Sequence, residues 1–372
     1  MKRMTAWIKI LTIFGALGLL IFLFQEKISC SPRNLMEYFE ALEEELISPL
    51  NLYDGTCAGK DIHHQYIAYL LKSEVKMYDK ENNNNAQLIN SLAEYLIVHS
   101  DDNGDGEVGW GLPWEWDAFG DGSMNPKDSV YAIEVANVID ALLDAFDSGV
   151  LNPSLHKNAL QIMHDLAILW NTKYWTEQNE TGRNFYWYSI SKNDEIECTN
   201  ISSKMAGTFS RLLRVPDLFS DEEQTIISDR IDQTISRVYE LAYKDENNVL
   251  VWDYIPSSED SLRNDLIHHV FVIEGIFDYN KYRATVDSKF SYEELTEYIY
   301  KCINYEEMLL YSYPDFSYER AFDTSAISFI ENKELRRELL ENSYERYWIH
   351  ERAEDLQLSF LLDAMADCIV SD

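Results

Sequence analysis

The chain repeats one pattern, a loop rich in aromatic or polar residues followed by a helix whose first turn is polar and whose remainder is apolar. These helices begin near His63, Tyr131, Cys198, Asp265 and, less regularly, Arg320, and the first four starts are 68, 67 and 67 residues apart. A repeat of this length accommodates one helical hairpin and its connection, and hairpins that cannot bury their faces alone must stack on their neighbours. The sequence therefore predicts an all-α domain of sequential hairpins.

Twelve helices are predicted from the spacing of apolar residues, with two short β-like pieces in loops, at 185–190 and 249–255. The predicted helices are 34–45, 61–78, 86–99, 128–146, 153–170, 197–213, 221–243, 265–279, 292–303, 320–330, 333–344 and 354–369. Such hairpins form either an open solenoid or a closed ring. The first helix of each hairpin is apolar nearly all round and the second is more charged, which favours an (α/α) barrel with an inner and an outer layer. In a closed ring the starts of the inner helices meet at one mouth.

The N-terminus carries a membrane signal, in which Lys2 and Arg3 precede an apolar run at 6–24 that is interrupted only by Lys9. About 19 residues at a rise of 1.5 Å nearly match a hydrocarbon core of about 30 Å, and the cationic end should stay in the cytoplasm. A cleavable signal peptide is the alternative, although no Ala-x-Ala site follows the run. The sequence predicts a cytoplasmic stub and membrane anchor, or a signal peptide, over 1–30, and one toroid domain over 31–372 in the periplasm or outside the cell.

The charge balance limits the partners of the domain. Asp and Glu number 65 against 31 Lys and Arg, for a formal net charge of −34. A field of this sign repels phosphodiester backbones, so nucleic acid is excluded, whereas neutral sugars carry no such penalty. The five cysteines form no C-x-x-C pair, and no nucleophile elbow, phosphate loop, dinucleotide fingerprint or His-Glu-x-x-His helix occurs.

The loop over 101–126 has the densest set of chemically useful side chains. Trp110, Trp114 and Trp116 offer flat apolar faces for stacking on sugar rings, while Glu115 and Asp117 offer hydrogen-bond acceptors or an acid/base pair. The alternative is structural, with the tryptophans plugging the ring and the aspartates forming Asx-turns around the loop glycines. The functional interpretation makes this loop one wall of a binding cleft.

Hairpin repeats with aromatic-rich loops resemble the (α/α) toroid, or six-hairpin glycosidase-like, superfamily of carbohydrate-active proteins. The segment Gly-Trp-Gly-Leu-Pro-Trp-Glu-Trp-Asp-Ala-Phe-Gly-Asp-Gly-Ser-Met-Asn-Pro at 109–126 and the helix through 141–145 also resemble uncharacterised bacterial proteins associated with exopolysaccharide biosynthesis. The resemblance implies a toroid fold, a polysaccharide or oligosaccharide ligand, and envelope polysaccharide assembly proteins as partners. It transfers no catalytic residue.

The start of the same loop resembles a calcium-binding loop. Asp101, Asn103 and Asp105 supply oxygens before the turn-forming Gly106, but the twelfth position is Leu112, where an EF-hand has a bidentate Glu. No cofactor is required by the predicted chemistry, and calcium is a candidate ligand of these three residues.

Glycoside hydrolysis needs two carboxyl groups, one to protonate the leaving oxygen and one to activate water or attack the sugar. Glu115, Asp117 and Asp253 are the candidates because each lies beside aromatic residues at the predicted mouth. The leading hypothesis is a membrane-anchored enzyme that hydrolyses an envelope or secreted polysaccharide.

Two other readings stay open. A uronate lyase or epimerase would use Tyr and His for proton abstraction, with Arg or Asn holding the carboxylate. The residues that would serve are Tyr188, Asn200, Tyr254, Arg263, His268 and His269. A noncatalytic glycan-binding or assembly subunit would need only the stacking surface, without two facing titratable groups.

Overall fold

The structure, a computed structural model, describes residues 35–50, 62–102, 104–178, 183–258, 262–314, 321–351 and 353–371. The predicted anchor or signal peptide at 1–30 lies outside these ranges. Within the described ranges, every helix is too short or too polar to cross a bilayer.

The described chain is mainly helical. Its α-helices are α1 (Leu35–Ile47), α2 (His64–Lys76), α3 (Ala86–Val98), α4 (Ala132–Ser148), α5 (Pro153–Thr172), α6 (Thr199–Leu212), α7 (Asp221–Leu241), α8 (Leu266–Tyr282), α9 (Tyr292–Lys301), α10 (Lys333–Ser343) and α11 (Asp355–Ser371). A 3-10 helix spans Ala321–Phe329 and a π-helical segment spans Tyr344–Glu351. Three short antiparallel pairs join β1 (Trp175–Gln178) to β2 (Arg183–Tyr186), β3 (Tyr243–Lys244) to β4 (Leu250–Val251), and β5 (Ile303–Asn304) to β6 (Leu309–Leu310).

Six inner elements close into a ring. α2 contacts α4, α4 contacts α6, α6 contacts α8, α8 contacts the 3-10 helix, the 3-10 helix contacts α11, and α11 returns to α2. Each inner element also packs against one outer helix, and these are α3, α5, α7, α9, α10 and α1 in the same order. The contacts give a closed toroid of helical hairpins and exclude the open solenoid.

Burial separates the two layers as the polarity pattern predicts. In α6 every residue except Arg211 is buried, whereas α7 buries a single face that includes Ile227, Ile231 and Ile235. The inner helices are therefore enclosed on all sides, and the outer helices shield them from water on one side only.

The hairpin of α4 and α5 illustrates how the sequence sets helix ends. Gly149 ends α4 in the left-handed conformation at φ 73°, and the Asn152 side chain accepts hydrogen bonds from the first turn of α5. The predicted start of α4 at residue 128 is wrong by four residues. Val130 and Tyr131 instead form β-bridges to Gly111 and Ser189, so the helix begins only at Ala132.

Buried ion pairs connect the later turns of the inner helices. The Lys204 ammonium on α6 lies 2.9 Å from Asp140 on α4 and 2.7 Å from Glu274 on α8. Arg211 contacts Asp140 at 3.0 Å and Asp144 at 2.6 Å. Burial alone would raise the pKa of Asp140, but the Lys204 and Arg211 cations outweigh it and hold that pKa below its usual value. These charges stay ionised inside the ring because each faces an opposite charge.

The inner helices α6 and α8 approach each other closely. A Cβ atom on Gly275 would lie 2.0 Å from the Ser203 carbonyl oxygen, and one on Gly207 would lie 2.6 Å from the Gly275 Cα atom. Neither glycine has a positive φ, so the requirement for glycine here is steric.

We expect Gly275→Ala to destabilise the fold by at least about 2 kcal/mol, because the added methyl meets backbone that cannot move without separating α6 from α8. At an unconstrained helical site the same change stabilises by about 0.4–1 kcal/mol, so the sign of the effect is itself informative. Urea denaturation followed by circular dichroism measures it. Asn158→Ala on the exposed face of α5 is the control, and an unchanged midpoint for Gly275→Ala would contradict the close packing.

Candidate functional site

A cavity of about 280 Å³ opens where the inner helices begin. Its walls are mostly aromatic and aliphatic, and its polar lining consists of His63, Gln65, Glu134, Asn200 and His268. Concave, largely apolar sites with a few polar groups are typical of small-ligand pockets.

The lining residues occupy equivalent positions of the repeat. Gln65, Ile133, Asn200 and Ile267 all line the cavity, and they are 68, 67 and 67 residues apart. The residues that follow Ile133, Asn200 and Ile267 also line the cavity and are 67 residues apart. They are Glu134, Ile201 and His268. The inner helices α2, α4, α6 and α8 thus place their first turns at the same mouth.

Glu134 is the one carboxyl group among the described lining residues, and it is almost fully buried. Its Oε2 atom accepts a hydrogen bond from the Gln65 backbone amide at 3.0 Å and lies 3.5 Å from His63 Nδ1. Burial raises the pKa of Glu134 from 4.5 to about 8 and lowers that of His63 from 6.5 to about 3. Both side chains are therefore neutral at pH 7, and Glu134 carries a proton.

His268 contributes a second polar group from the first turn of α8. Its Nδ1 atom lies 2.6 Å from Asp265 Oδ1, and Asp265 also caps α8 by accepting from the His268 backbone amide. The His268 and Tyr254 rings meet edge-on with centroids 4.8 Å apart. The carboxylate fixes the imidazole by one nitrogen and leaves Nε2 available to other partners.

The rim of the cavity is aromatic. Trp114 and Trp116 remain 46% and 42% exposed although both line the cavity. The Trp114 ring lies 5.6 Å from that of His63, and Tyr188 packs between Phe119 and Tyr131. Half-exposed indoles beside a pocket provide stacking surfaces for a ligand with apolar faces.

Two buried polar atoms at the cavity lack a hydrogen-bond partner among the described residues. They are His63 Nδ1 and Asn200 Oδ1. Most buried polar atoms in folded proteins are paired, so atoms of this kind mark places where a ligand or water completes the bonding.

Six of the predicted site residues line this one cavity: Trp114, Trp116, Tyr188, Asn200, Tyr254 and His268. They come from the loop after α3, the loop after β2, α6, the loop after β4 and α8. The structure thus brings the stacking residues and the proposed lyase residues to the same place.

The remaining predicted catalytic and binding residues lie elsewhere. Trp110 is buried and donates from Nε1 to the Leu96 carbonyl at 2.8 Å. Both carboxylate oxygens of Asp117 accept from backbone amides in a tight turn, and the Glu115 side chain is exposed. These contacts match the structural alternative of plugs and Asx-turns for this part of the loop.

Asp253, Arg263 and His269 are not among the cavity-lining residues, and each contacts another residue of the fold. Asp253 Oδ1 accepts from the Tyr243 hydroxyl at 2.6 Å, and Arg263 is paired with Asp245 at 3.0 Å. The His269 ring is buried against Tyr298, and burial lowers its pKa to about 4. Each side chain thus has a partner within the fold.

The predicted calcium ligands lie in the loop after α3. Asp101 Oδ1 accepts from the Gly106 amide at 3.3 Å and Asp105 Oδ1 accepts from the Glu107 amide at 2.7 Å, whereas Asn103 lies outside the described residues. Calcium binding by these three residues stays a prediction.

Local motifs do not identify four of the lining residues with polar groups, namely His63, Gln65, Tyr131 and Glu134. The repeat spacing contains the signal that finds them. Aligning the helix starts puts Gln65 and Ile133 at the position of Asn200, and Glu134 at the position of His268. A local search favours dense clusters of aromatic and acidic residues and passes over a single Glu in an apolar helix.

No protein-family model and no curated protein matches the chain. Solved structures do match its fold. A GH76 α-mannanase from Bacteroides thetaiotaomicron aligns with a TM-score of 0.62 at 12% identity, over 91% of this chain and 96% of that one. The GH76A α-1,6-mannanase from Salegentibacter sp. HEL1_6 aligns with a TM-score of 0.53 at 12% identity, over 91% and 100%. An inactive variant of the latter, with two consecutive aspartates replaced, binds α-1,6-mannotriose.

At these identities the likeness establishes the fold alone. The chain has the toroid architecture of these glycosidases, as the predicted superfamily requires. The resemblance to proteins associated with exopolysaccharide biosynthesis stays a prediction.

We expect Glu134→Gln to remove a pH-dependent loss of stability. The unfolded chain releases this proton near pH 4.5 and the folded chain near pH 8, so the wild-type free energy of unfolding falls as pH rises between these values, by no more than about 5 kcal/mol. Gln keeps an acceptor for the Gln65 amide without the titration. The difference between variant and wild type, measured by urea denaturation from pH 4 to 9, should grow in favour of the variant.

Glu338→Gln on the exposed face of α10 is the matched control, and it should track the wild type across the range. A constant difference between Glu134→Gln and the wild type would mean that Glu134 titrates alike in the folded and unfolded chains.

Proposed function

We propose that this protein binds a neutral oligosaccharide in the cavity at the mouth of the toroid and hydrolyses a glycosidic bond, with Glu134 protonating the leaving oxygen. The observation that carries the proposal is a buried carboxyl group that opens into an aromatic pocket. A general acid must hold its proton at the working pH, and burial gives Glu134 a pKa of about 8.

The pocket suits a sugar more than a purely apolar ligand. Trp114 and Trp116 supply the stacking faces. His63 Nδ1 and Asn200 Oδ1 offer unpaired atoms to ring hydroxyls. No Lys, Arg or Asp occurs among its described lining residues, so a charged saccharide would have no counter-ion there.

The second catalytic group in this proposal is the pair of His268 and Asp265. Paired carboxyl groups are the usual arrangement, but Glu134 is the single carboxyl among the described lining residues. With Nδ1 held by Asp265, the free nitrogen of His268 can accept a proton from a water that attacks the sugar. The predicted pair of carboxylates is thereby replaced by a carboxylic acid and a histidine.

The matched structures suggest the first substrate to try. The Salegentibacter enzyme is an α-1,6-mannanase, so α-1,6-linked mannose oligosaccharides are the natural first probe. The catalytic residues proposed for this chain differ from those of the Salegentibacter enzyme in one respect. The single consecutive Asp pair in this chain, Asp101 and Asp102, is absent from the cavity lining, and in the Salegentibacter enzyme a pair of this kind is the site of an inactivating replacement.

A noncatalytic glycan-binding or assembly subunit is the second candidate, and the single lining carboxyl is the observation that favours it. A uronate lyase or epimerase has less support. Tyr188, Asn200, Tyr254 and His268 share the cavity, but Arg263 is committed to Asp245. Burial also raises the pKa of both phenols, so less of either is ionised and able to take a proton at pH 7. Membrane attachment through residues 1–30, an extracytoplasmic location and assembly partners remain part of the proposal on sequence grounds.

The test uses the full 372-residue chain in mild detergent. Release of reducing ends from α-1,6-mannan oligosaccharides and other neutral glycans reports hydrolysis, and calorimetry reports binding. We expect Glu134→Gln to lower kcat by at least about 100-fold while binding changes little, because the amide cannot donate a carboxylic proton.

Trp114→Ala should weaken binding by about 10-fold through lost stacking.

Glu338→Gln and Tyr305→Ala, both exposed and outside the cavity lining, are the matched controls. Full activity of Glu134→Gln would eliminate it as the acid. Glycan binding by the wild type without cleavage would favour the noncatalytic candidate, and unsaturated uronyl products from a uronate polymer would favour the lyase. Failure to bind any neutral glycan would contradict both leading candidates.

A further inference from the structure

Three side chains outside the cavity converge at the end of α3. His64 on α2, His99 after α3 and Asp102 in the following loop each present one ligand atom, and these atoms all lie within 4.8 Å of one another. His99 Nδ1 lies 3.0 Å from the Asp102 carboxylate, and His64 Nε2 lies 3.5 Å from Asp102 Oδ2. The His64 side chain is only 3% exposed, whereas His99 and Asp102 face solvent in part.

One ring nitrogen of His64 has a partner, and the other has none among the described residues. Its Nδ1 atom bonds to the Gly111 carbonyl at 3.1 Å, and a carbonyl oxygen can only accept, so Nδ1 carries the proton. The other ring nitrogen, Nε2, faces the Asp102 carboxylate at 3.5 Å. Among the described residues this buried nitrogen has no hydrogen-bond partner. A cation between Nε2 and the carboxylate would give this nitrogen a partner.

We propose that His64 Nε2, His99 Nδ1 and the Asp102 carboxylate bind a zinc ion. In a tetrahedral site with zinc–ligand distances of about 2.0–2.1 Å, neighbouring ligand atoms are about 3.3 Å apart. The two separations that involve Asp102, 3.0 and 3.5 Å, are close to that edge length, and the His64 and His99 ligand atoms lie within 4.8 Å of each other. Two imidazoles and one carboxylate suit zinc, whereas calcium takes oxygen ligands almost alone.

The surrounding contacts are those of a metal site. The bond from His64 Nδ1 to a backbone carbonyl fixes the tautomer that presents Nε2, as is usual for metal-bound histidines. The His99 ring is held against Tyr95, with centroids 4.2 Å apart. Solvent reaches the site through His99 and Asp102, which provides an entry path and room for a water as the fourth ligand.

The proposed ion would tie the aromatic loop to the ring. His64 belongs to an inner helix, Asp102 begins the loop, and Gly111 lies three residues before Trp114. Zinc would therefore fix both ends of the segment that leads into the cavity rim. This role is independent of whether the cavity binds a sugar.

The test is metal binding by the untagged full chain after treatment with a chelator. We expect one zinc per chain, measured by competition with a chromogenic chelator, and the visible absorption of tetrahedral cobalt when Co²⁺ is added instead. His99→Gln and Asp102→Asn remove one ligand each at partly exposed positions and should weaken zinc binding by at least about 100-fold. Zinc should also raise the Tm of the wild type but not of these variants.

His164→Gln is the matched control, because His164 also lies beside two carboxylates, Asp165 at 3.0 Å and Glu223 at 3.4 Å, but through opposite ring nitrogens, so the three cannot share one ion. Zinc binding should survive in this variant. Binding that persists in both His99→Gln and Asp102→Asn, or its absence from the wild type, would overturn the site.

Discussion

Closure of the six inner elements into a ring is the constraint on which the rest of this structure depends. Once each inner helix has two inner neighbours, equivalent residues of successive repeats must lie at the same height around one axis. First turns therefore meet at one mouth, where residues 67 or 68 apart in sequence form the cavity. Later turns meet deeper in the ring, where Lys204 and Asp140 are almost fully buried and must satisfy each other.

The deeper layer satisfies this requirement by alternating charge. Lys76, Asp144, Arg211 and Asp278 occupy equivalent positions of four successive repeats, so basic and acidic side chains alternate around the ring. Burial raises the pKa of Asp278 to about 7, so this last member is only partly ionised at neutral pH. α2 and α11 are joined in the same way, because the Lys76 ammonium lies 2.8 Å from Asp363 and 2.9 Å from Asp367. Removing Lys204 would leave the buried Asp140 carboxylate with one fewer counter-charge, and breaking a buried pair of this kind costs about 3–5 kcal/mol. Gly207 in α6 is the repeat equivalent of Asp140 in α4 and Glu274 in α8. At this position α6 has no charged side chain, and the helices approach closely.

The architecture could be predicted from the sequence because the polarity pattern that specifies it is periodic. Helix polarity predicted the layers, and the contrast between α6 and α7 bears this out. The site was only partly predictable. Tryptophans in one loop look alike in sequence, but Trp110 turns inward to the Leu96 carbonyl while Trp114 and Trp116 face the cavity. That difference arises from bridges such as Gly111 to Val130, which join distant segments and have no local signature.

The acidity of the chain and the lack of charge in its cavity both disfavour an anionic ligand. A formal charge of −34 surrounds a pocket in which burial keeps Glu134 protonated and His63 uncharged at pH 7. An anionic saccharide would be repelled by the surrounding field and would find no cation among the described lining residues. A neutral one loses nothing to that field and gains stacking and hydroxyl contacts. The same burial that excludes charge from the pocket is what keeps a proton on Glu134, so the proposed preference for neutral ligands and the proposed acid catalysis would have a single physical cause.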